Sequence, residues 1–212
     1  METTRFCCIR HGETAWNTQR RLQGQLDIGL NDNGESQARA AGRWLARQGG
    51  IDHLYASDLS RAWRTAEHIG AALGLQPRPA PELRERRYGI FEGLTYAEAR
   101  VTHPGPYARH EAREPDFVIP GGESLHQFHD RVTGRLCQLT SEHGGQTLVL
   151  VMHGGVLDII NRFVRGNPLD TPRDFLIPNA GLNWISHGPG GWQLESWGET
   201  GHLAAGALDE LK

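Results

Sequence analysis

The chain has 212 residues, a formal net charge of −3 at pH 7 and a calculated pI near 6.4. This length suits one domain with a sizeable core, so we predict a single domain over residues 1–212. The near-neutral charge argues against nucleic acid or an anionic membrane surface as the main partner. Lys212 is the only lysine among 22 basic residues, so every candidate anion contact before it is an arginine guanidinium.

The N-terminal sequence and the cysteines predict a cytoplasmic protein. Residues 1–5 lack the basic start and apolar core of a signal peptide, and no apolar stretch approaches the ~20 residues of a membrane span. The three cysteines, Cys7, Cys8 and Cys137, are odd in number and form no CxxC pair, which argues against a disulfide framework. We expect reduced cysteines, a cytoplasmic location and no membrane partner.

The first predicted element is a buried strand. The apolar run Phe6-Cys7-Cys8-Ile9 ends where Arg10-His11-Gly12-Glu13 begins. This order places His11 at the carboxyl edge of a sheet, where open α/β folds have their sites. Farther along, Asn31 is suited to cap a helix, and the apolar stripe that follows it should end at Gly49-Gly50.

The next strand and helix bring an arginine to the same edge. His53-Leu-Tyr-Ala56 predicts a short strand, and a helix from Ser60 carries an apolar face that ends at Gly74. Arg61 lies in the first turn of this helix, near the carboxyl end of the strand. The guanidinium groups of Arg61 and Arg10 can each bind two phosphate oxygens.

The stretch 95–120 interrupts the alternation of strands and helices. It is rich in Pro, His, Arg and Glu, and Thr95 with Glu98 predicts a capping box for a short helix within it. Because long connections in compact domains often form lids or binding loops, we expect an insertion over the site. A third helix, with Leu125 on its apolar face, then leads to the apolar run 147–152, which ends at His153-Gly154.

The last predicted elements complete a layered fold. Residues 156–164 predict a helix, and 181–186 and 192–197 predict two strands joined by the turn 188–191. The βαβα order predicts a three-layer α/β/α sandwich with a mostly parallel central sheet.

These residues have the chemistry of phosphoryl transfer. The reaction needs an in-line nucleophile, positive charge around the equatorial oxygens and an acid for the leaving alcohol. A neutral His11 can be the nucleophile, because neighbouring arginines depress the pKa of an imidazole. Glu85 and Glu92 are two candidate acids in one glycine-punctuated loop. His126 and His129 have helical spacing, but no third ligand is evident, so we predict no metal site.

Several segments in chain order resemble the histidine phosphatase superfamily, which contains the cofactor-dependent phosphoglycerate mutases and many small phosphatases. A chance match to one tetrapeptide would not span the chain in this way. The resemblance implies a phosphoglycerate mutase-like fold. The matching segments are Arg-His-Gly-Glu-Thr at 10–14, Trp16-Asn17, Gln23-Gly24, Ser-Asp-Leu-Ser-Arg-Ala at 57–62, Thr65-Ala66, Leu83 with Glu85, Gly89 and Glu92-Gly93, Pro-Gly-Gly-Glu-Ser at 120–124, and His153-Gly154.

The resemblance also implies roles for several of the matching residues. His11 would become phosphohistidine, and Glu85 would be the proton donor and then the base for water. Glu92 would support the loop. The groups implied to hold the phosphoryl group are Arg10, Arg61 and His153, with neutral donors from Asn17 and the backbone at Gly154, and with Gln23-Gly24 at the border of the substrate.

Within the family, the sequence favours a phosphatase over a mutase. The stretch 85–89 is similar to the mutase pattern, in which an arginine and a tyrosine, here Arg86 and Tyr88, help to hold the substrate. The stretch 89–93 resembles the phosphatase version, however, and 95–120 lacks the adjacent arginine pair with which mutases hold a second anionic group. The chain is also shorter than typical mutases, and its segment 197–203 is similar to the closing His-Leu segment of small bacterial phosphatases.

The predicted function is hydrolysis of a small phosphomonoester metabolite through a phosphohistidine. The alternative is a mutase primed by 2,3-bisphosphoglycerate. A more remote alternative is an inactive module that binds a phosphorylated ligand, although such a module would be expected to lose the nucleophile, an arginine or the acid. We predict no cofactor and no nucleic-acid partner. The sequence is compatible with a homodimer and identifies neither the oligomeric state nor the natural substrate.

Overall fold

A computed structural model describes residues 2–203, in which six strands form one sheet. The strands are β1 (Thr4–Arg10), β2 (His53–Ala56), β3 (Arg78–Pro79), β4 (Thr147–Met152), β5 (Leu182–Gly188) and β6 (Gly191–Glu199). The helices are α1 (Ala15–Thr18), α2 (Asp32–Gln48), α3 (Ser60–Leu73), α4 (Tyr96–Thr102), α5 (Pro104–Glu111), α6 (Leu125–Glu142) and α7 (Gly154–Arg165), with 3₁₀ turns at Pro81–Leu83 and Gly89–Phe91.

The sheet is mostly parallel, as the alternation of strands and helices predicts. Its strand order is β3-β2-β4-β1-β5-β6. The first four strands in this order pair in parallel, whereas β5 and β6 pair antiparallel. Because β1 and β4 are parallel neighbours, with Arg10 opposite Met152, the residues that follow both strands lie at one edge of the sheet.

The core lies on both faces of the sheet, which confirms the three layers. Along β1, Phe6 and Cys8 pack on one face with α6 and α7, and Cys7 and Ile9 pack on the other face with α2 and α3. All four side chains are fully buried. A strand covered on both faces has no reason to alternate polar with apolar residues, which explains the continuous apolar runs of β1 and β4.

The predicted helix ends are confirmed where a specific capping residue marks them. The side chain of Asn31 accepts a hydrogen bond from Gly34 N at the start of α2. Gly74 ends α3 with a left-handed backbone (φ 71°) that glycine adopts without strain. No helix in the range 2–203 is both long and apolar enough to cross a membrane.

The insertion contains more structure than the sequence indicates. The capping box of Thr95 and Glu98 is present at the start of α4. The second helix, α5, is not predicted by the sequence, because it begins with Pro104 and Pro106, and proline breaks a helix in its interior. Proline is tolerated in the first turn of a helix, which is where both residues lie. The insertion has its own small core with the loop around Phe91.

One arginine ties the insertion to the rest of the fold. Arg113 follows α5 with a left-handed backbone (φ 54°). Its Nη2 donates to Asp158 Oδ2 of α7 at 2.6 Å, and its Nε donates to the carbonyl of Leu169 at 2.7 Å. Asp158 also accepts from Arg162 Nε at 3.0 Å. These contacts fix the insertion against α7, whose first turn lies at the carboxyl edge of the sheet.

Candidate active site

The two predicted histidines are neighbours at this edge. His11 follows β1 and His153 follows β4, and the backbone N–H of His11 donates to the carbonyl of Met152 at 2.9 Å. The centroids of the two imidazole rings are 5.2 Å apart. Both residues are buried. The structure therefore brings together the two residues that the sequence analysis paired.

The hydrogen bond of His11 leaves one ring nitrogen suited for attack. Its Nδ1 lies 2.7 Å from the carbonyl oxygen of Gly12. A carbonyl only accepts, so Nδ1 carries the proton and Nε2 presents its lone pair. Burial lowers the pKa of His11 well below its usual value, and the charges of Arg61 and Arg10 lower this pKa further. The ring is therefore neutral and nucleophilic at neutral pH.

The hydroxyl of Ser57 forms a hydrogen bond with one ring nitrogen of His153. Its Nε2 lies 2.8 Å from Ser57 Oγ, and this hydroxyl also accepts from Leu59 N at 3.4 Å. When Ser57 donates its proton to Nε2, the proton of the imidazole is on Nδ1. This Nδ1 is buried and has no hydrogen-bond partner within residues 2–203, so it is a donor suited to a phosphoryl oxygen.

Two buried guanidinium groups supply positive charge. Nη1 of Arg10, the last residue of β1, donates to the carbonyl of Ile177 at 2.8 Å. Arg61, in the first turn of α3, donates from Nη1 to the carbonyl of Leu26 at 2.9 Å and from Nη2 to that of Gly24 at 2.7 Å. Their side chains are 1% and 0% exposed. Backbone carbonyls thus orient both cations.

A narrow slot connects the nucleophile with the candidate acid. Its wall includes His11, Gln23, Gly24, Arg61 and Glu85. Gly24 has a φ of 52°, and a Cβ added there would lie 2.1 Å from Glu92 Oε1, so a side chain at this position would clash. The buried Oε1 of Gln23 has no hydrogen-bond partner within the described chain.

The two candidate acids lie in different environments. Glu85 lines the slot, where its Oε1 accepts from Arg86 N at 2.7 Å and its Oε2 accepts from Gly155 N at 2.9 Å. A Cβ on Gly155 would lie 2.3 Å from Glu85 Oε1, so glycine permits this approach to the first turn of α7. Glu92 instead accepts from Gln25 N and Tyr88 N. Glu92 therefore stabilises the loop through these backbone hydrogen bonds.

The remaining predicted site residues do not all line the slot. The Oδ1 of Asn17 caps α1 by accepting from Thr14 N at 3.0 Å, and the donor end of this buried amide is its Nδ2. Tyr88 lines the slot as well as a second cavity of 310 Å³. Arg86 and Gly154 line this second cavity, as does Gly155, whose N–H donates to Glu85.

Some residues that hold the site were not assigned a role from the sequence. Besides Ser57, Thr65 Oγ1 accepts from Gly12 N at 3.0 Å, and Asn179 Nδ2 donates to the carbonyl of His11 at 3.0 Å. Ser57 directly follows β2 as His11 follows β1. This position at the carboxyl end of a strand is the sequence feature that identifies Ser57 as a candidate site residue. Asn179 lies in a loop without a sequence pattern, so only the fold reveals it.

Acid is expected to weaken folding through His11 and His153. Burial is the main cause that lowers the pKa of each ring, so between this lowered value and about 6.5 the unfolded chain binds a proton that the folded chain does not. The free energy of unfolding should therefore be unaffected by these groups above pH 6.5. It should fall by about 1.4 kcal/mol per pH unit for each histidine as the pH falls from 6.5 towards 5.

Urea unfolding at pH 7.5, 6.5, 5.8 and 5.0 measures this dependence. His153→Gln removes one titrating group and should reduce the slope relative to the wild type. An unfolding free energy that is constant between pH 6.5 and 5 would contradict the neutral state of both rings.

The chain is similar in sequence to proteins of one family. The sequence model of the histidine phosphatase superfamily (branch 1) matches residues 6–200. Phosphoglycerate mutase-like protein 4 of Arabidopsis thaliana is 38% identical over 92% of this chain and 85% of its own length. The metal-independent phosphoserine phosphatase of the same plant is 34% identical over 96% and 85%.

Solved structures with this fold include phosphatases. The mycobacterial glucosyl-3-phosphoglycerate phosphatase superposes with a TM-score of 0.80 at 30% identity, over 94% of this chain and 100% of its own. The phosphoserine phosphatase of Entamoeba histolytica gives a TM-score of 0.84 at 26% identity, over 94% and 99%.

Proposed function

We propose that this chain, which belongs to the histidine phosphatase superfamily, is a phosphomonoesterase that hydrolyses a small phosphorylated metabolite through a phosphohistidine at His11. The observation that carries the proposal is the shared slot, in which a neutral imidazole, a buried guanidinium and a carboxyl group line one space. Phosphatases among both the sequence relatives and the solved structures support it.

The first step transfers the phosphoryl group to the enzyme. The lone pair on His11 Nε2 attacks phosphorus while the bond from phosphorus to the ester oxygen breaks. Arg10, Arg61 and the Nδ1–H of His153 stabilise the charge on the equatorial oxygens. Glu85 gives its proton to the leaving oxygen, so the alcohol departs neutral.

The second step releases phosphate. The ionised Glu85 takes a proton from a water molecule whose oxygen attacks phosphorus, and the bond from phosphorus to His11 Nε2 breaks. Inorganic phosphate leaves, the imidazole regains its lone pair, and Glu85 is again protonated for the next ester. One water is consumed for each ester bond.

The salt bridges of the insertion favour hydrolysis over the mutase alternative. A mutase must hold a second phosphate of its primer. The exposed arginines of the insertion already have carboxylate partners, since Arg100 pairs with Glu111 and Arg109 Nε lies 2.6 Å from Glu114 Oε2. One relative is named as a phosphoglycerate mutase-like protein, so mutase activity is the second candidate function. Incubation with 3-phosphoglycerate and 2,3-bisphosphoglycerate separates the two, because a phosphatase releases phosphate and a mutase forms 2-phosphoglycerate.

The proposal further includes one domain over 1–212, with 95–120 as a lid, in a cytoplasmic enzyme that needs no cofactor. A screen of phosphorylated metabolites for released phosphate, with p-nitrophenyl phosphate as the general substrate, tests the activity directly. Binding of phosphate esters without any turnover would instead support the inactive-module alternative.

Activity is expected to survive chelation. The charge that a divalent ion supplies in other phosphatases comes here from Arg10, Arg61 and His153, and one relative is named as metal-independent. Hydrolysis of p-nitrophenyl phosphate should change by less than about twofold after EDTA treatment and gel filtration. A magnesium-dependent phosphatase in the same buffers is the control. Loss of activity that a divalent ion restores would refute this expectation.

A further inference from the structure

One guanidinium group on α6 binds the backbone of the loop that carries the proposed acid. Arg131 donates from Nη1 to the carbonyls of Glu82 and Arg84 at 2.6 and 2.9 Å, and from Nη2 to the carbonyl of Glu85 at 3.4 Å. A planar guanidinium presents its donors in a fixed arrangement, so one side chain can bind several carbonyls at once. These bonds restrain the backbone that leads into Glu85.

The segment before α6 binds the other side of the same loop through Glu123. Its Oε1 accepts from Arg131 Nη2 at 2.7 Å and from Arg87 N at 2.9 Å. Its carbonyl accepts from Arg86 Nε and Nη2 at 3.3 and 3.0 Å. The side chains of Arg131 and Glu123 are only 23% and 9% exposed, so water screens this ion pair incompletely. Together, the two residues hold the loop on both sides of Glu85.

The carboxyl group of Glu85 depends on this backbone for its position. Its Oε2 accepts from Gly155 N at 2.9 Å, and its Oε1 would lie only 2.3 Å from a Cβ on Gly155. The fit against the first turn of α7 is therefore close. A general acid must lie within hydrogen-bond reach of the oxygen that it protonates, and a displacement of about 1 Å can cost roughly 10²-fold in rate. A shift of the loop should therefore impair proton transfer.

We propose that Arg131 and Glu123 form a positioning pair that holds Glu85 in place for proton transfer to the leaving group. The inference rests on the proposed function, in which Glu85 is the acid. Neither member of the pair is among the described residues that line the slot, so both act through Glu85. Removal of Arg131 should therefore matter most for esters whose leaving group needs a proton.

Arg131 has a second, electrostatic effect that does not depend on the leaving group. Burial is the main cause that lowers the pKa of His153, and the charge of Arg131 is among the further causes. In the proposed reaction, His153 binds the phosphoryl group, which is the same in every ester. A change at His153 should therefore affect all esters about equally, whereas a displaced Glu85 should not.

Two aryl esters of nearly the same shape test this difference. Phenolate leaves less readily than nitrophenolate, so phenyl phosphate needs the proton of the acid more than p-nitrophenyl phosphate does. The quantity compared is kcat/KM, which covers the steps up to transfer of the phosphoryl group to His11. Arg131→Gln is expected to lower kcat/KM by about tenfold or more for phenyl phosphate. For p-nitrophenyl phosphate the loss should be less than about threefold.

A double-mutant cycle with Glu85→Gln distinguishes positioning from a general structural effect. Once Glu85→Gln has removed the proton donor, its position no longer matters for proton transfer. Adding Arg131→Gln to that variant should therefore lower kcat/KM for phenyl phosphate by less than about threefold. A merely structural role would instead multiply the two losses, because it would also impair the steps that need no acid.

Arg135→Gln is the matched control, because it removes the same charge from the same helix. Arg135 lies one turn after Arg131, and its side chain is 12% exposed. Its Nε lies 3.8 Å from Glu82 Oε2 and its Nη1 lies 3.8 Å from Glu142 Oε1. These contacts are with side chains and not with the backbone next to Glu85. The control should change kcat/KM by less than about twofold, equally for both esters.

Three results would overturn the inference: equal losses for the two esters in Arg131→Gln, multiplied losses in the double variant, or the same dependence on the leaving group in Arg135→Gln. If Arg131→Gln melts far below the wild type, Arg131→Lys replaces it. Lysine keeps the charge beside Glu123, but its ammonium group cannot span the same carbonyls, so the larger loss for phenyl phosphate should persist, and equal losses would again overturn the inference.

Failure of the proposed function gives a different result from failure of the positioning pair. If the proposed function is wrong, the wild type hydrolyses neither ester, or Glu85→Gln alone loses equally for both. If only the positioning pair is wrong, Glu85→Gln still loses more for phenyl phosphate, and Arg131→Gln does not.

Discussion

His11→Ala is expected to lower turnover by at least ~10⁴-fold, equivalent to about 5 kcal/mol of activation free energy. The substitution removes the atom that attacks phosphorus, and no neighbour can replace it. His153 lies 5.2 Å away, centroid to centroid, but its Nε2 is bonded to Ser57. When Ser57 donates to this Nε2, the proton of the imidazole is on Nδ1, so neither ring nitrogen is a nucleophile.

Chemical labelling distinguishes loss of the nucleophile from loss of the fold. Wild type quenched during turnover should contain acid-labile, base-stable phosphate on the protein, as expected for a phosphorylated imidazole. The His11→Ala protein should contain none while keeping its circular dichroism spectrum. His187→Ala, at the opposite end of the sheet, should label as the wild type does. Label that persists in His11→Ala would place the phosphoryl group on another residue.

The edge of the sheet could be predicted because its signals are local. A buried strand followed by His-Gly is visible in any sequence, and the pairing of Arg10 with Met152 only adds that the two strands are neighbours. Asn31 and Gly74 mark helix ends for equally local reasons, since one supplies an acceptor to backbone N–H groups and the other a left-handed backbone.

The parts that could not be predicted depend on contacts between distant segments. Asn179 reaches His11 across 168 positions in the sequence, and Arg113 reaches Asp158 across 45. The helix α5 begins at prolines that ordinarily end helices, so its sequence suggested a loop. His110 belongs to this helix, and its place in the wall of the second cavity follows only once α5 is packed against Tyr88 and Phe91.

Glu85→Gln is expected to lower the rate by roughly 10²- to 10⁴-fold for alkyl phosphates. The amide has almost the shape of the acid and can keep an oxygen towards Gly155 N, but it has no proton to give to the leaving oxygen. An alkoxide is a poor leaving group without that proton. Nitrophenolate leaves readily without one, so the loss for p-nitrophenyl phosphate should be much smaller at the first step.

The second step of the same variant provides an independent observable. The amide introduced by Glu85→Gln is a poor base for water, so if dephosphorylation becomes rate-limiting, the phosphoenzyme should accumulate with p-nitrophenyl phosphate. A burst of nitrophenolate equal to the enzyme concentration, followed by slow turnover, would report this. Rapid quench of the same reaction should recover stoichiometric acid-labile phosphate.

Glu92→Gln is the matched control, because it makes the same change in the same loop. Glu92 Oε1 accepts from Tyr88 N at 3.0 Å and from Gln25 N at 3.1 Å, and a glutamine oxygen can accept both bonds. Its effect should be small and equal for both substrates, since it acts on the position of the loop and not on the proton. The two residues have different roles because their contacts differ. Glu85 lines the slot with His11, whereas the carboxyl group of Glu92 packs against Gly24. A larger defect in Glu92→Gln that depends on the leaving group would contradict this assignment. Glu92 would then be the proton donor, and the loop would have to change conformation when the substrate binds.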